Sequence, residues 1–366
     1  MHKALGPQAQ ELPAQDAVDY VAPAWLPGGN AQTLWPAVFS RRTLGPRPQY
    51  RRERWTTPDG DFVEVDFLQG PHAAVPRPLL VLFHGLEGSS RSHYAEAFAD
   101  VAQQRGWRFA VPHFRGCSGP LNQGPRAYHS GDHAEIDWML RRLAQPEAGG
   151  GGALHPPAPV WAVGVSLGGN ALMRWAGEAG QAAAGTVAAV ASVSAPIDLA
   201  ASGAAIGRGF NRQVYTRIFL RTMVPKALAK LAQHPGLFDR QALLAARDLH
   251  AFDDVFTAPL HGFADADDYW RRASAKPVLP DIRVPALVLN ALNDPFVPAA
   301  SLPEPAEAGT HVTLWQPAGG GHVGFPAGAF PGHVRRMPEA VADWLAAQGS
   351  AAYAGAPPAV AESAHG

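Results

Sequence analysis

Pro159-Val160-Trp161-Ala162-Val163-Gly164-Val165-Ser166-Leu167-Gly168 is the stretch that decides how this chain is read. Its first half is an apolar run suited to a buried strand, and a helical pattern begins at Leu167. A Gly-x-Ser-x-Gly pentapeptide alone recurs by chance in a chain with 38 glycines. Set between a strand and a helix, it describes a sharp, strained turn that holds a serine hydroxyl clear of the backbone. Side chains at 164 and 168 would collide across such a turn, so both glycines have a steric reason. The alternative is a serine in an ordinary strand-to-helix turn, and the surrounding pattern weighs against it.

Outward from this stretch, short apolar runs alternate with helical patterns. Strands are expected at Leu79–Phe83, Arg108–Val111, Val160–Gly164, Val187–Val193, Ala286–Asn290 and His311–Trp315. Their apolar, often β-branched character suits strands buried on both faces. Helices are expected from Tyr94 to Gln104, around Ile136, Met139, Leu140 and Leu143, after Ser166, and from Val334 to Leu345. The alternation predicts an α/β fold, a mostly parallel central sheet flanked by helices. Tyr50–Thr57 and Phe62–Phe67 flank Pro58-Asp59-Gly60 and predict an antiparallel hairpin on the sheet edge. The segment between Val193 and Ala286 is too long for a simple crossover. It predicts an inserted helical cap, about residues 200–280, over the strand ends where ligands bind in open α/β sheets.

Residues 16–348 are therefore expected to form one domain. Residues 1–15 and 349–366 are polar or rich in Ala, Gly and Pro, and are expected to be disordered. Ala144–Pro159 contains Gly149-Gly150-Gly151-Gly152 and reads as a surface loop. Hydrophobic residues make up 47% of the 366, enough for a sizeable core. A formal net charge of −1 excludes the strongly basic footprint of a nucleic-acid binder. Cys117 is the sole cysteine, which rules out an internal disulfide and fits a reducing compartment. The N-terminus lacks the apolar segment of a secretory signal, and no apolar run reaches the length of a membrane span. A cytoplasmic location is expected.

A serine hydroxyl is a poor nucleophile unless a base takes its proton, and that base is usually a histidine oriented by a carboxylate. Downstream of Ser166, Asp294 follows the strand Ala286–Asn290 and His322 follows the strand His311–Trp315. Both lie just past a strand's C-terminal end, as Ser166 does. The other readings are a turn-forming aspartate before Pro295 and a loop histidine in Gly319-Gly320-Gly321-His322. An oxyanion needs backbone donors. The Leu167 N–H at the helix start is one candidate. The Leu86 N–H, in His84-Gly85-Leu86-Glu87-Gly88, is the other. His84 precedes the serine and is read as orienting or structural.

At these residues the chain resembles the YheT-like branch of the α/β-hydrolases, the AB hydrolase type 4 group. The resemblance is carried by Trp25-Leu26-Pro27-Gly28-Gly29-Asn30-Ala31-Gln32-Thr33-Leu34-Trp35-Pro36 and the His84–Gly88 loop. It continues through His113-Phe114-Arg115-Gly116-Cys117-Ser118-Gly119, Tyr128-His129-Ser130-Gly131, the Ser166 turn and His322-Val323-Gly324-Phe325. It implies the α/β-hydrolase fold, a charge-relay triad at Ser166, Asp294 and His322, and hydrolysis of carboxylic or lipid esters through an acyl-enzyme. It implies no metal and no organic cofactor. Asn293 departs from relatives that carry a second acid before the aspartate. Other activities on the same triad are thioester or amide cleavage and perhydrolysis; a non-catalytic binding module with the same fold is the reading from another class.

Three further features have two readings each. His129-Ser130-Gly131-Asp132-His133 could be a metal site, but it reads better as a helix start capped by Asp132. Cys117 could be a reactive thiol, against the commoner buried cysteine; Arg115 in the same loop is expected to brace it by ion pairing. The segment Arg208–Lys230 carries Arg212, Arg217, Arg221, Lys226 and Lys230 among Phe210, Val214, Ile218 and Phe219. A cap helix with one packed and one solvated face is the favoured reading, and weak peripheral membrane contact is the other. A small-molecule or lipid ester is the expected partner. The oligomeric state has no signature in the sequence.

Overall fold

The apolar runs assemble into one eight-stranded sheet in the computed structural model, which describes residues 20–70, 77–145 and 158–354. In chain order the strands are β1 (Tyr50–Thr56), β2 (Phe62–Leu68), β3 (Leu79–Phe83), β4 (Arg108–Pro112), β5 (Val160–Val165), β6 (Ala189–Val193), β7 (Ala286–Leu289) and β8 (Val312–Trp315). Their order is β1-β2-β4-β3-β5-β6-β7-β8. β2 is antiparallel to β1 and to β4, and every other pairing is parallel. The expected hairpin is therefore the sheet's edge, with Gly60 at φ 80° in its turn.

Side-chain alternation sends neighbouring residues of each strand into two different helix layers. Leu79, Val81 and Phe83 of β3 pack with α3 (His133–Ala144) and α4 (Leu167–Ala179). Leu80 and Leu82 pack with α2 (His93–Gln104) and the C-terminal helix. A further helix, α1 (Gly29–Val38), precedes the sheet. Asp132 caps α3, its carboxylate accepting from the Glu135 N–H, as expected for a helix start.

Between β6 and β7 lies the helical cap. It contains α5 (Leu199–Ile206), α6 (Arg217–Gln233) and α7 (Ala266–Ala273), with π-helical turns at Arg212–Thr216 and Asp253–Thr257. Aspartates punctuate it: Asp198, Asp239, Asp248 and Asp265 each cap a helix start with the side chain. Asn170 of α4 ties the cap to the core. Its amide donates to the carbonyls of Ser130 and Ala273 at 2.9 Å, and its oxygen accepts from the Ala275 N–H at 2.9 Å.

The C-terminal helix α8 (Arg336–Ala354) runs past residue 348, where the tail was expected to begin. Residues 349–354 include three alanines, the best helix former, and the helix continues through them. The remainder of both expected disordered ends, residues 1–19 and 355–366, and residues 146–157 of the Gly-rich loop lie outside the described residues. Among the described residues no helix is long and apolar enough to cross a membrane.

The register of the sheet creates the site. Phe83 pairs with Gly164, Val165 with Val193, Val193 with Leu289, and Leu289 with Trp315. Five strands thus end at nearly the same level. Whatever follows them in sequence emerges along one edge, beneath the cap.

Candidate active site

Ser166 sits between β5 and α4 at φ 52° and ψ −120°, a region costly for any residue with a Cβ. Packing enforces the turn. A Cβ on Gly164 would overlap the backbone of Gly168, and one on Gly168 would overlap the carbonyls of Phe83 and His84. The Ser166 N–H donates to the Val193 carbonyl at 2.8 Å, pinning the turn to the neighbouring strand. Ser166 Oγ lies 2.9 Å from His322 Nε2, and His322 Nδ1 lies 2.9 Å from Asp294 Oδ2. Asp294 Oδ1 accepts from the Phe296 N–H at 2.7 Å and the Val297 N–H at 3.3 Å. The Phe296 ring lies 4.2 Å, centroid to centroid, from the imidazole and screens it. The three residues read from separate strand ends are thus brought into one hydrogen-bonded line.

Of the two proposed amide donors, Leu167 is the first residue of α4, where backbone N–H groups have no partner within the helix. The Leu86 N–H makes no hydrogen bond among the described residues. Its loop lies close over the serine: a Cβ on Gly85 would stand 3.2 Å from Ser166 Cβ. Gly85 N–H donates to Tyr94 Oη at 2.8 Å. Glu87, at φ 57°, is held at three points. Its N–H donates to Tyr128 Oη at 3.0 Å, Tyr128 O–H donates to Glu87 Oε1 at 2.9 Å, and Lys226 Nζ lies 2.8 Å from Oε2. His84 is structural. Its Nδ1–H donates to the Gly85 carbonyl at 2.8 Å, its Nε2 accepts from the Phe114 N–H at 3.1 Å, and burial pushes its pKa down to about 3.

Residues of α1 hold the histidine and aspartate loops together. Gln32 Oε1 accepts from the Gly320 N–H at 2.8 Å and from Asn293 Nδ2 at 2.9 Å, while Asn293 Oδ1 accepts from the Gly321 N–H at 2.9 Å. Thr33 Oγ1 accepts from the His322 N–H at 2.8 Å. The backbones touch: a Cβ on Gly324 would overlap the Gln32 carbonyl, and one on Gly29 the Asn293 carbonyl. Ser194 Oγ, after β6, accepts from the Val323 N–H at 3.0 Å. Reading the sequence assigned no role to Gln32, Thr33 or Ser194. The signal was the polar, Gly-rich run Gly28–Thr33, which amphipathic helix formation does not explain.

The site opens into a cavity of about 150 Å³ between core and cap. Leu199, Ile206, Phe219, Met223, Phe252 and Trp270 of the cap supply much of its apolar wall. Arg115 also borders it, locked by Asp59, Asp61 and Glu135, which hold its guanidinium above its usual pKa. That is the expected brace. Burial pushes the Cys117 thiol up to about 12, so it is a neutral packing residue and not a reactive thiolate.

A doubly wound sheet of this strand order, with a serine on the tight turn after its fifth strand and a helical insertion after the sixth, defines the α/β-hydrolase class. The sequence model for the alpha/beta hydrolase fold matches residues 78–329, and the chain belongs to that family. It is 40% identical over 318 residues to the Escherichia coli strain K12 protein named "Putative esterase YheT", covering 86% of this chain and 89% of that one. The expected YheT-like resemblance is borne out. It is 28% identical over 323 residues to the human phospholipase ABHD3, covering 85% of this chain and 75% of that one. Among solved structures, DcsB in complex with its substrate analogue shares the fold at TM-score 0.50 and 11% identity, covering 82% of this chain and all of that one.

Proposed function

We propose that this protein is a serine hydrolase that cleaves carboxylic esters carrying an apolar acyl group. Ser166 Oγ attacks the acyl carbon and passes its proton to His322 Nε2. Asp294 holds the Nδ1–H tautomer and stabilises the imidazolium that forms. The Leu86 and Leu167 N–H groups donate to the developing oxyanion. Collapse of the tetrahedral intermediate expels the alcohol, protonated by His322, and leaves an acyl-enzyme on Ser166. Water, deprotonated by His322, then attacks the acyl carbon, and the acid is released with Ser166 reprotonated.

The observation that carries this reading is the Ser166–His322–Asp294 line, with 2.9 Å at each link, facing an apolar cavity. The esterase and phospholipase names of the relatives support ester chemistry. A fluorophosphonate probe should label the wild-type chain and leave Ser166→Ala unlabelled. Labelling of Ser166→Ala, or none of the wild type, would overturn the assignment.

A further inference from the structure

From Leu199 to Phe238 the chain carries Arg208, Arg212, Arg217, Arg221, Lys226 and Lys230 and not one aspartate or glutamate. Ordinary surfaces intersperse both signs. The two lysines are used internally. Lys226 pairs with Glu87, and the buried Lys230 donates to the carbonyls of Asn122 and Gly124 at 2.7 Å each. The four arginines are exposed, and among the described residues none makes an ion pair or a side-chain hydrogen bond. Arg217, Ile218 and Arg221 share one exposed face of α6, and Phe210 stands two turns before Ile218. Phe210 and Ile218 are each 52% exposed. Val214, Tyr215 and Phe219 of this segment turn inward and cluster with Leu34 and Phe296, while Leu220, Met223, Val224 and Leu228 cluster with Phe252 and Phe256. Two neighbouring elements, α1 and the Pro295–Val297 turn, add no carboxylate.

We propose that this outer face of the cap docks on an anionic lipid surface. The arginines would meet headgroup phosphates, and Phe210 and Ile218 would enter the apolar boundary beneath them. Charge alone would suit any polyanion. Two large apolar side chains exposed among unpaired arginines fit a surface that is anionic above and apolar below, which a nucleic acid is not. The same helix turns Phe219 and Met223 into the cavity, so docking would bring the cavity wall to the lipid.

The test is co-sedimentation of the full chain with vesicles of phosphatidylcholine, alone or with added phosphatidylglycerol. Wild type should bind the anionic vesicles selectively and release as salt rises. R217E/R221E should bind at least about 25-fold more weakly, at roughly fivefold per arginine lost. F210S/I218S should bind roughly tenfold more weakly. Both variants should hydrolyse a soluble short ester as wild type does, which shows that they are folded. Ser166→Ala should bind vesicles like wild type, which separates docking from the hydrolytic reading. Equal binding to neutral vesicles, or no loss in R217E/R221E, would overturn the proposal. So would wild-type binding by F210S/I218S together with competition by duplex DNA, which would make the face a general polyanion site.

Discussion

At the scale of single residues, the site is a set of costs accepted in one place. Ser166, Ser194, Val323 and Glu87 all have positive φ, and all lie at or beside the strand ends. Such conformations cost roughly 1–3 kcal/mol each and persist only where the surroundings over-determine them. Ser166→Ala or His322→Ala should lower ester turnover by a factor on the order of 10⁴–10⁶, with the double variant no worse than either. Steady-state kinetics on a soluble ester checks this, and strongly additive losses would mean that the two act separately. On the proposed mechanism Gln32 is a positioning residue. Truncating it leaves the buried Gly320 N–H and the Asn293 amide without their shared acceptor, freeing the loop that carries His322. A misplacement near 1 Å can cost about 100-fold. Gln32→Ala should therefore lower kcat by roughly 10–100-fold with KM little changed. A rise in KM at constant kcat would place its effect on substrate binding instead.

At the scale of elements, the cap holds a partly buried acid at the cavity wall that reports its stability. Asp253, in a π-helical turn, accepts from Thr257 Oγ1 at 2.6 Å and Trp270 Nε1 at 2.8 Å, and burial raises its pKa from 3.8 to about 6. Between pH 4 and pH 6 the folded chain keeps this proton while the unfolded chain releases it. This group's contribution to stability therefore falls as pH rises through that window, and the full cost stands above pH 6. Asp253→Asn keeps both hydrogen bonds, since the Thr257 hydroxyl can turn to accept. Its stability relative to wild type should rise by on the order of 3 kcal/mol between pH 4 and pH 6, measured by denaturant unfolding. A flat difference would mean that the carboxylate is not desolvated.

The elements also show what the sequence could reveal. Ser166 follows an apolar run directly, and Asp294 and His322 lie in the loops that open after later apolar runs, so local patterning was enough to single them out. The role of Gln32 and Thr33 depends on loops more than 260 residues away and leaves no periodic trace. The basic run Arg208–Lys230 was legible as amphipathic, but not the fate of each cation. The π-helical turn at Arg212–Thr216 shifts the helical phase, and Lys226 and Lys230 turn inward to partners on the loops after β3 and β4. The end of α8 was missed because its Ala-rich composition suits both a tail and a helix.

At the scale of the whole molecule, the proposed reacting groups come from the core and most of the apolar wall comes from the cap. On the proposed mechanism, chemistry and selectivity sit on different parts of the chain, and a change in the cap should alter which ester is taken while leaving the reaction intact. An acyl chain in this cavity is held by apolar area. Each buried methylene contributes about 0.8 kcal/mol, close to fourfold in the specificity constant. For p-nitrophenyl esters, kcat/KM should climb by that factor per carbon until the cavity is full and then level off. Ala227, buried on α6, lines the wall. Ala227→Phe should move the plateau to shorter chains, and Met223→Ala to longer ones, with turnover of the acetyl ester nearly unchanged in both. Overpacking at 227 costs about 1–3 kcal/mol of stability, so the enlarging variant carries the test if the filled one unfolds. A flat profile from acetate to octanoate in wild type, or a plateau that neither variant moves, would put the acyl chain outside this cavity.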